Sequence, residues 1–174
     1  NEVNLQSLSE KEIQTYFQFL IQVLRATAES GGDVQAIYPL LAENTDKLDG
    51  VFVEIFRRWG AQTLEEADAA ESIAVDIVNF STRIREFPLG KKASNMEIAI
   101  AGYEVALTVY TKEAFPQHWA MTQYNLGLAY YLRIRGERAD NLENVIAAYT
   151  AALTVRTKEA FPQDWAATQN ALAN

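Results

Sequence analysis

Apolar positions spaced by three or four residues run through most of this chain, the period of helices that turn one face to a core. Ser9 to Glu29 reads as such a helix, with Ser9 and Glu12 placed as a capping box and Gly31-Gly32 breaking the chain after it. Asp33 to Glu43 is either one helix with Pro39 in its first turn or a turn that leads into a new helix. From Asn44 to Gly60 the residues Leu48, Val51, Phe52, Ile55 and Trp59 make one stripe. A further helix is expected after Thr63, its first turn carrying Glu65, Glu66, Asp68 and Glu71 at the positive end of the helix dipole.

In the second half the pattern repeats. Asn95 to Leu128 aligns with Asn141 to Asn174 at a spacing of 46 residues, and 21 of the 34 aligned positions are identical. Random pairing would give roughly two. A fixed period of this size marks stacked supersecondary units, each unable to bury its apolar face alone. Each unit reads as two helices. The first spans about Pro116 to Ile134, with Pro116 at the first helical position and Trp119, Gln123, Leu126, Tyr130 and Ile134 along its core stripe. The second opens after Ser94 and again after Asp140, with Glu97 and Glu143 completing capping boxes. Its buried stripe is Ile100, Tyr103, Ala106 and Leu107, repeated as Ile146, Tyr149, Ala152 and Leu153.

Leu126, Gly127 and Tyr130 match the L-G-x2-Y element of the tetratricopeptide repeat, and Ala99, Tyr103 and Ala106 match its second-helix element. The chain departs from that pattern in Gln123 for the usual Trp, in Val145 for the first Ala of the second copy, and in a period twelve residues above the standard 34. In its long period, and in the runs LTVYTKEAFPQHWAMTQYNLGLAY and RIRGERADNLE, it resembles the kinesin-light-chain-like repeats of cyanobacterial multidomain proteins. The resemblance covers about Ser94 to Asn174. It implies an α-solenoid of antiparallel helix pairs over residues 93–174, the last repeat truncated, in proteins where such repeats accompany CHAT peptidase or signalling ATPase domains. Residues 1–92 form a helical N-terminal region with a degenerate repeat helix, Ile73 to Arg85, at its end. Here Arg83-Ile84-Arg85 is paired with Arg133-Ile134-Arg135 through a linker four residues longer, which sets Phe80 against Tyr130.

Composition removes most chemistry. A net charge of −8 repels phosphate backbones, so no nucleic-acid partner is expected. The absence of cysteine removes thiolate nucleophiles and cysteine-ligated metals, and the one histidine, His118, builds no metal site alone. Gly90-Lys91-Lys92 lacks the spacing of a phosphate loop. The acidic cluster and His118 read as helix-end and surface charge, and Trp59, Trp119 and Trp165 as packing. With no uncharged run long enough for a bilayer, the chain is read as cytoplasmic, without cofactor, metal or membrane partner, and as a non-enzyme. Its start on Asn1 and its end inside a repeat read as those of a fragment.

The two copies act as an internal experiment, since positions the fold needs stay fixed and the others drift. On the first helix, His118/Asp164, Met121/Ala167, Tyr124/Asn170, Asn125/Ala171 and Leu128/Asn174 differ and fall on one arc. By resemblance to tetratricopeptide arrays, where first helices line the concave groove, this arc is the candidate partner-binding surface: Met121, Tyr124, Asn125, Leu128, Tyr131, Arg135 and Asn170. A protein or peptide is the expected partner. The alternative is a regulatory arm that docks on an attached CHAT peptidase or signalling ATPase domain. Self-association through the uncapped C-terminal end is a further expectation.

Overall fold

The computed structural model describes residues 3–174, and among them the regular structure is helical throughout. Eight α-helices follow one another: α1 Glu10–Ser30, α2 Val34–Glu43, α3 Gly50–Glu66, α4 Ala70–Glu86, α5 Lys92–Ala106, α6 Pro116–Leu132, α7 Arg138–Leu153 and α8 Pro162–Ala173. Short 3-10 turns lie at Leu5–Ser7 and Thr45–Lys47. No helix of the described residues is long and apolar enough to cross a membrane.

The first helix boundaries follow their caps. Ser9 Oγ accepts from the Glu12 amide, and α1 ends on left-handed Gly31. Asp33 caps α2, which runs straight through Pro39 as a single helix, with Pro39 well past its first turn. Asp49 caps α3 through the Phe52 amide at 3.0 Å. The helix expected after Thr63 does not start there. The apolar stripe Phe52, Ile55, Phe56, Gly60 and Leu64 carries α3 on to Glu66, so Glu65 and Glu66 sit in its last turn and Asp68 in the following loop. Only Glu71 lies in a first turn, that of α4.

The period of 46 reaches further back than the sequence alignment. Ala70–Glu86 and Pro116–Leu132 are offset by 46 at both ends, and α5 and α7 start with the same offset. The expected linker insertion is therefore absent, and Phe80 answers Leu126, not Tyr130. Crossing contacts agree: Thr82 meets Tyr103 at 2.8 Å, and the same helix level, one period on, sets Gly127 against Tyr149. The helices pair as α4 with α5 and α6 with α7, each pair running antiparallel across a short loop.

The second helices also begin earlier than their capping boxes imply. Lys91 and Glu137 precede α5 and α7 without side-chain caps. Ser94 is instead buried inside α5 and takes a hydrogen bond from Arg135 Nη2 at 3.2 Å. Glu97 pairs with Arg133 through two contacts of 2.8 and 3.0 Å. The loop is held by a different device, used twice. Asn95 Nδ2 donates to the Leu89 carbonyl and Asn141 Nδ2 to the Arg135 carbonyl, each at 2.9 Å, beside Gly90 and Gly136 at φ 75° and 81°. A side chain at either glycine would strain that left-handed backbone.

Two expected core positions lie outside. Ile134 falls past the end of α6 and is 61% exposed; Ile146 on α7 is 56% exposed. Val145, Ala148, Tyr149 and Ala152 make the buried face of α7. The equivalent of Ile146 on α5, Ile100, is buried, because the end of α6 folds over α5: Tyr130 donates to Glu104 at 2.9 Å and Arg133 holds Glu97.

Leu107 and Leu153 are only half-buried. Replacing either by Ala should cost less than the ~2 kcal/mol at the low end for a fully buried leucine. Urea unfolding checks this, and a larger loss would place them in the core.

Candidate partner-binding surface

Identical residues of the two copies build the loops that carry α6 and α8. Thr111 Oγ1 accepts from the Ala114 amide and Thr157 Oγ1 from the Ala160 amide, both at 3.2 Å. Pro116 and Pro162 open the helices. Lys112 lies 5.7 Å from the centre of the Trp119 ring and Lys158 5.5 Å from that of Trp165, so both half-buried indoles are covered by a cation from their own loop.

On α6, Ala120, Thr122, Leu126, Gly127 and Ala129 are buried, which leaves the arc of His118, Met121, Asn125, Leu128 and Leu132 at least partly open. The predicted residues divide. Met121, Asn125 and Leu128 share this arc. Tyr124 lies at its α7 edge, its ring 5.4 Å from that of Tyr149, with the Arg156 guanidinium 5.1 Å above it. Tyr131 is turned the same way and is covered by Arg138, whose Nη1 also donates to the Tyr131 carbonyl. Arg135 sits in the loop after α6 and is engaged with Ser94. Asn170 is exposed on α8.

Where the start of α8 approaches the start of α6, a cavity of about 220 Å³ opens at one end of the arc. Gln117, His118, Met121, Arg156, Phe161 and Asp164 line it. Of these, only Met121 is among the residues chosen from sequence. The signal for the rest was present: Tyr110/Arg156 is the single difference between the copies from Leu107 to Gln117, but it lies in the loop, outside the helix comparison. No group of three or more His, Asp or Glu that could hold a metal occurs among the described residues.

Several phenols behind this surface are held neutral. Desolvation, with the nearby Tyr124, pushes Tyr149 up to about 12; desolvation and the Glu104 carboxylate do the same for Tyr130, and desolvation with Glu71 for Tyr110. A folded-state pKa above the unfolded value of 10.0 gives stability that is complete below that value and disappears as pH rises towards 12. Urea midpoints should therefore fall between about pH 9.5 and 11.5, in step with phenolate absorbance. A flat profile over that range would contradict the burial of these hydroxyls.

Comparison with protein-family models, curated proteins and solved structures finds no match to this chain.

Proposed function

We propose that the chain is a non-enzymatic protein-interaction module, a tetratricopeptide-like array whose first helices present a groove to a peptide or to another protein domain. The observation that supports this most is the arc of Met121, Asn125, Leu128 and Leu132. It is at least partly open along one helix, combines apolar and amide side chains, and ends in a cavity bounded by the next unit. Such a surface suits an extended or helical segment anchored by one or two large side chains. Rigid helix pairs keep it preorganised, which lowers the entropy cost of binding.

Selection from a displayed peptide library tests the reading. Enriched peptides should shift the amide resonances of α6 and the start of α8, and Leu128→Asp should abolish binding with the fold intact. Peptides that map to α1 or α2 instead, or no enrichment at all, would overturn it.

A further inference from the structure

The cavity between α6 and α8 has a counterpart one unit earlier, and there it is full. Five residues of its wall have these equivalents 46 positions back: Glu71 for Gln117, Val75 for Met121, Tyr110 for Arg156, Phe115 for Phe161 and His118 for Asp164. In that earlier gap the ring of Tyr110 is fully buried. Phe115 meets it edge-on at 5.6 Å, His118 stacks on it at 4.8 Å, and its hydroxyl donates to the Glu71 carbonyl at 3.3 Å. One phenol closes the space between two consecutive first helices.

In the next gap Arg156 stands in place of Tyr110 and directs its guanidinium over the ring of Tyr124. The volume that Tyr110 fills is left as the cavity. We infer that this cavity receives the hydroxyphenyl group of a tyrosine presented by a binding partner. The repeat itself supplies the template: Phe161 stands where Phe115 meets the Tyr110 ring, and Gln117 where Glu71 accepts its hydroxyl. Asp164 and Arg156 replace a stacking imidazole and the phenol with a carboxylate and a guanidinium, so the mouth gains an acceptor for a phenolic O–H and a cation beside the ring. A cavity of about 150 Å³ already admits a benzene ring, so a space of about 220 Å³ takes a phenol.

This inference rests on the interaction-module reading and names the anchor of its partner. The test uses the whole chain and p-cresol, the isolated tyrosine side chain, followed by heteronuclear NMR. Saturable shifts at Gln117, Met121, Phe161 and Asp164 are expected. Toluene should bind about two- to tenfold more weakly, the worth of one hydrogen bond. Arg156→Tyr, which copies the filled gap, should remove the response while its spectrum stays dispersed and its melting temperature matches or exceeds that of the parent. Met121→Trp, which crowds the mouth from the opposite wall, should weaken the response independently. No saturable shift at these residues, or shifts unchanged in both variants, overturns the inference. Library peptides that bind the α6 arc with no enrichment of tyrosine would also overturn it while leaving the module reading intact. Saturation by p-cresol with no peptide selected would uphold the cavity and sink the module.

Discussion

Gly102→Ala should destabilise the protein by about 2 to 3 kcal/mol, far beyond the ordinary effect of adding one methyl group in a helix. Gly is normally the poorer helix former by about 1 kcal/mol, so propensity alone predicts a gain. Packing decides against it. A Cβ on Gly102 would lie 1.8 Å from Ser81 Oγ and 3.0 Å from the Phe56 ring, and Ser81 is itself fully buried with its hydroxyl bonded to the Ile77 carbonyl. The second helix pair shows the remedy. There the position of Gly102 is Ala148 and that of Ser81 is Gly127, so each crossing holds one side chain of one heavy atom or two and one bare glycine. Ser81→Gly combined with Gly102→Ala reproduces the α6/α7 pair and should recover most of the loss, with a coupling energy of about 1 to 3 kcal/mol. Urea unfolding of the four proteins in the cycle measures it. Additive single effects would show that the two helices do not exchange bulk at this crossing.

The same crossing explains why the α4/α5 pair is hard to see in the sequence. Over their 17 residues α4 and α6 share only Ala74/Ala120 and Asn79/Asn125. What they share physically is a small residue at the point of closest approach and identical spacing to the next helix. Neither leaves a run of identities. α5 differs from α7 for a related reason: α3, α4 and α6 all pack on α5, so Met96, Ile98, Ala101 and Val105 are buried. Their equivalents on α7 are Leu142, Asn144, Ala147 and Ala151. Periodicity found the shared face, Tyr103 with Ala106 and Tyr149 with Ala152. It could not foresee that Ile100 would be covered, because that depends on Tyr130 and Arg133 reaching back over α5 from the end of α6.

Local motifs were legible where one side chain acts on its own backbone, as Ser9 and the two prolines do. They misled where the same residue types serve tertiary contacts. Ser94-x-x-Glu97 has the form of a capping box, yet both side chains are held by arginines from beyond α6. Of the candidate surface, the arc on α6 was legible because the positions that differ between the copies there, Met121, Asn125 and Leu128, are at least partly open. The cavity was not, because its key residue, Arg156, reaches the site from a loop.

The largest single loss is expected from Phe56→Ala, about 3 to 5 kcal/mol, the range for removing a buried aromatic ring. Phe56 is fully buried on α3, with the Phe80 ring 5.7 Å away on α4 and Phe52 6.0 Å away on its own helix; Phe19 of α1 reaches the same group through Phe52 at 5.4 Å. It also abuts Gly102 on α5, so its removal opens a void bordered by α3, α4 and α5. Rigid backbones on all sides prevent collapse, which places the cost in the upper part of the range. The consequence extends to cooperativity. One contiguous core runs from Leu5 to Ala129, so α1 to α6 should unfold together, and the variant should lower the single transition without splitting it. Calorimetry, with circular dichroism and tryptophan emission followed in parallel, distinguishes the outcomes. Two resolved transitions in the parent, or a variant in which only the early helices melt at lower temperature, would show that the N-terminal helices are a separate cooperative unit and that Phe56 does not join them to the repeats.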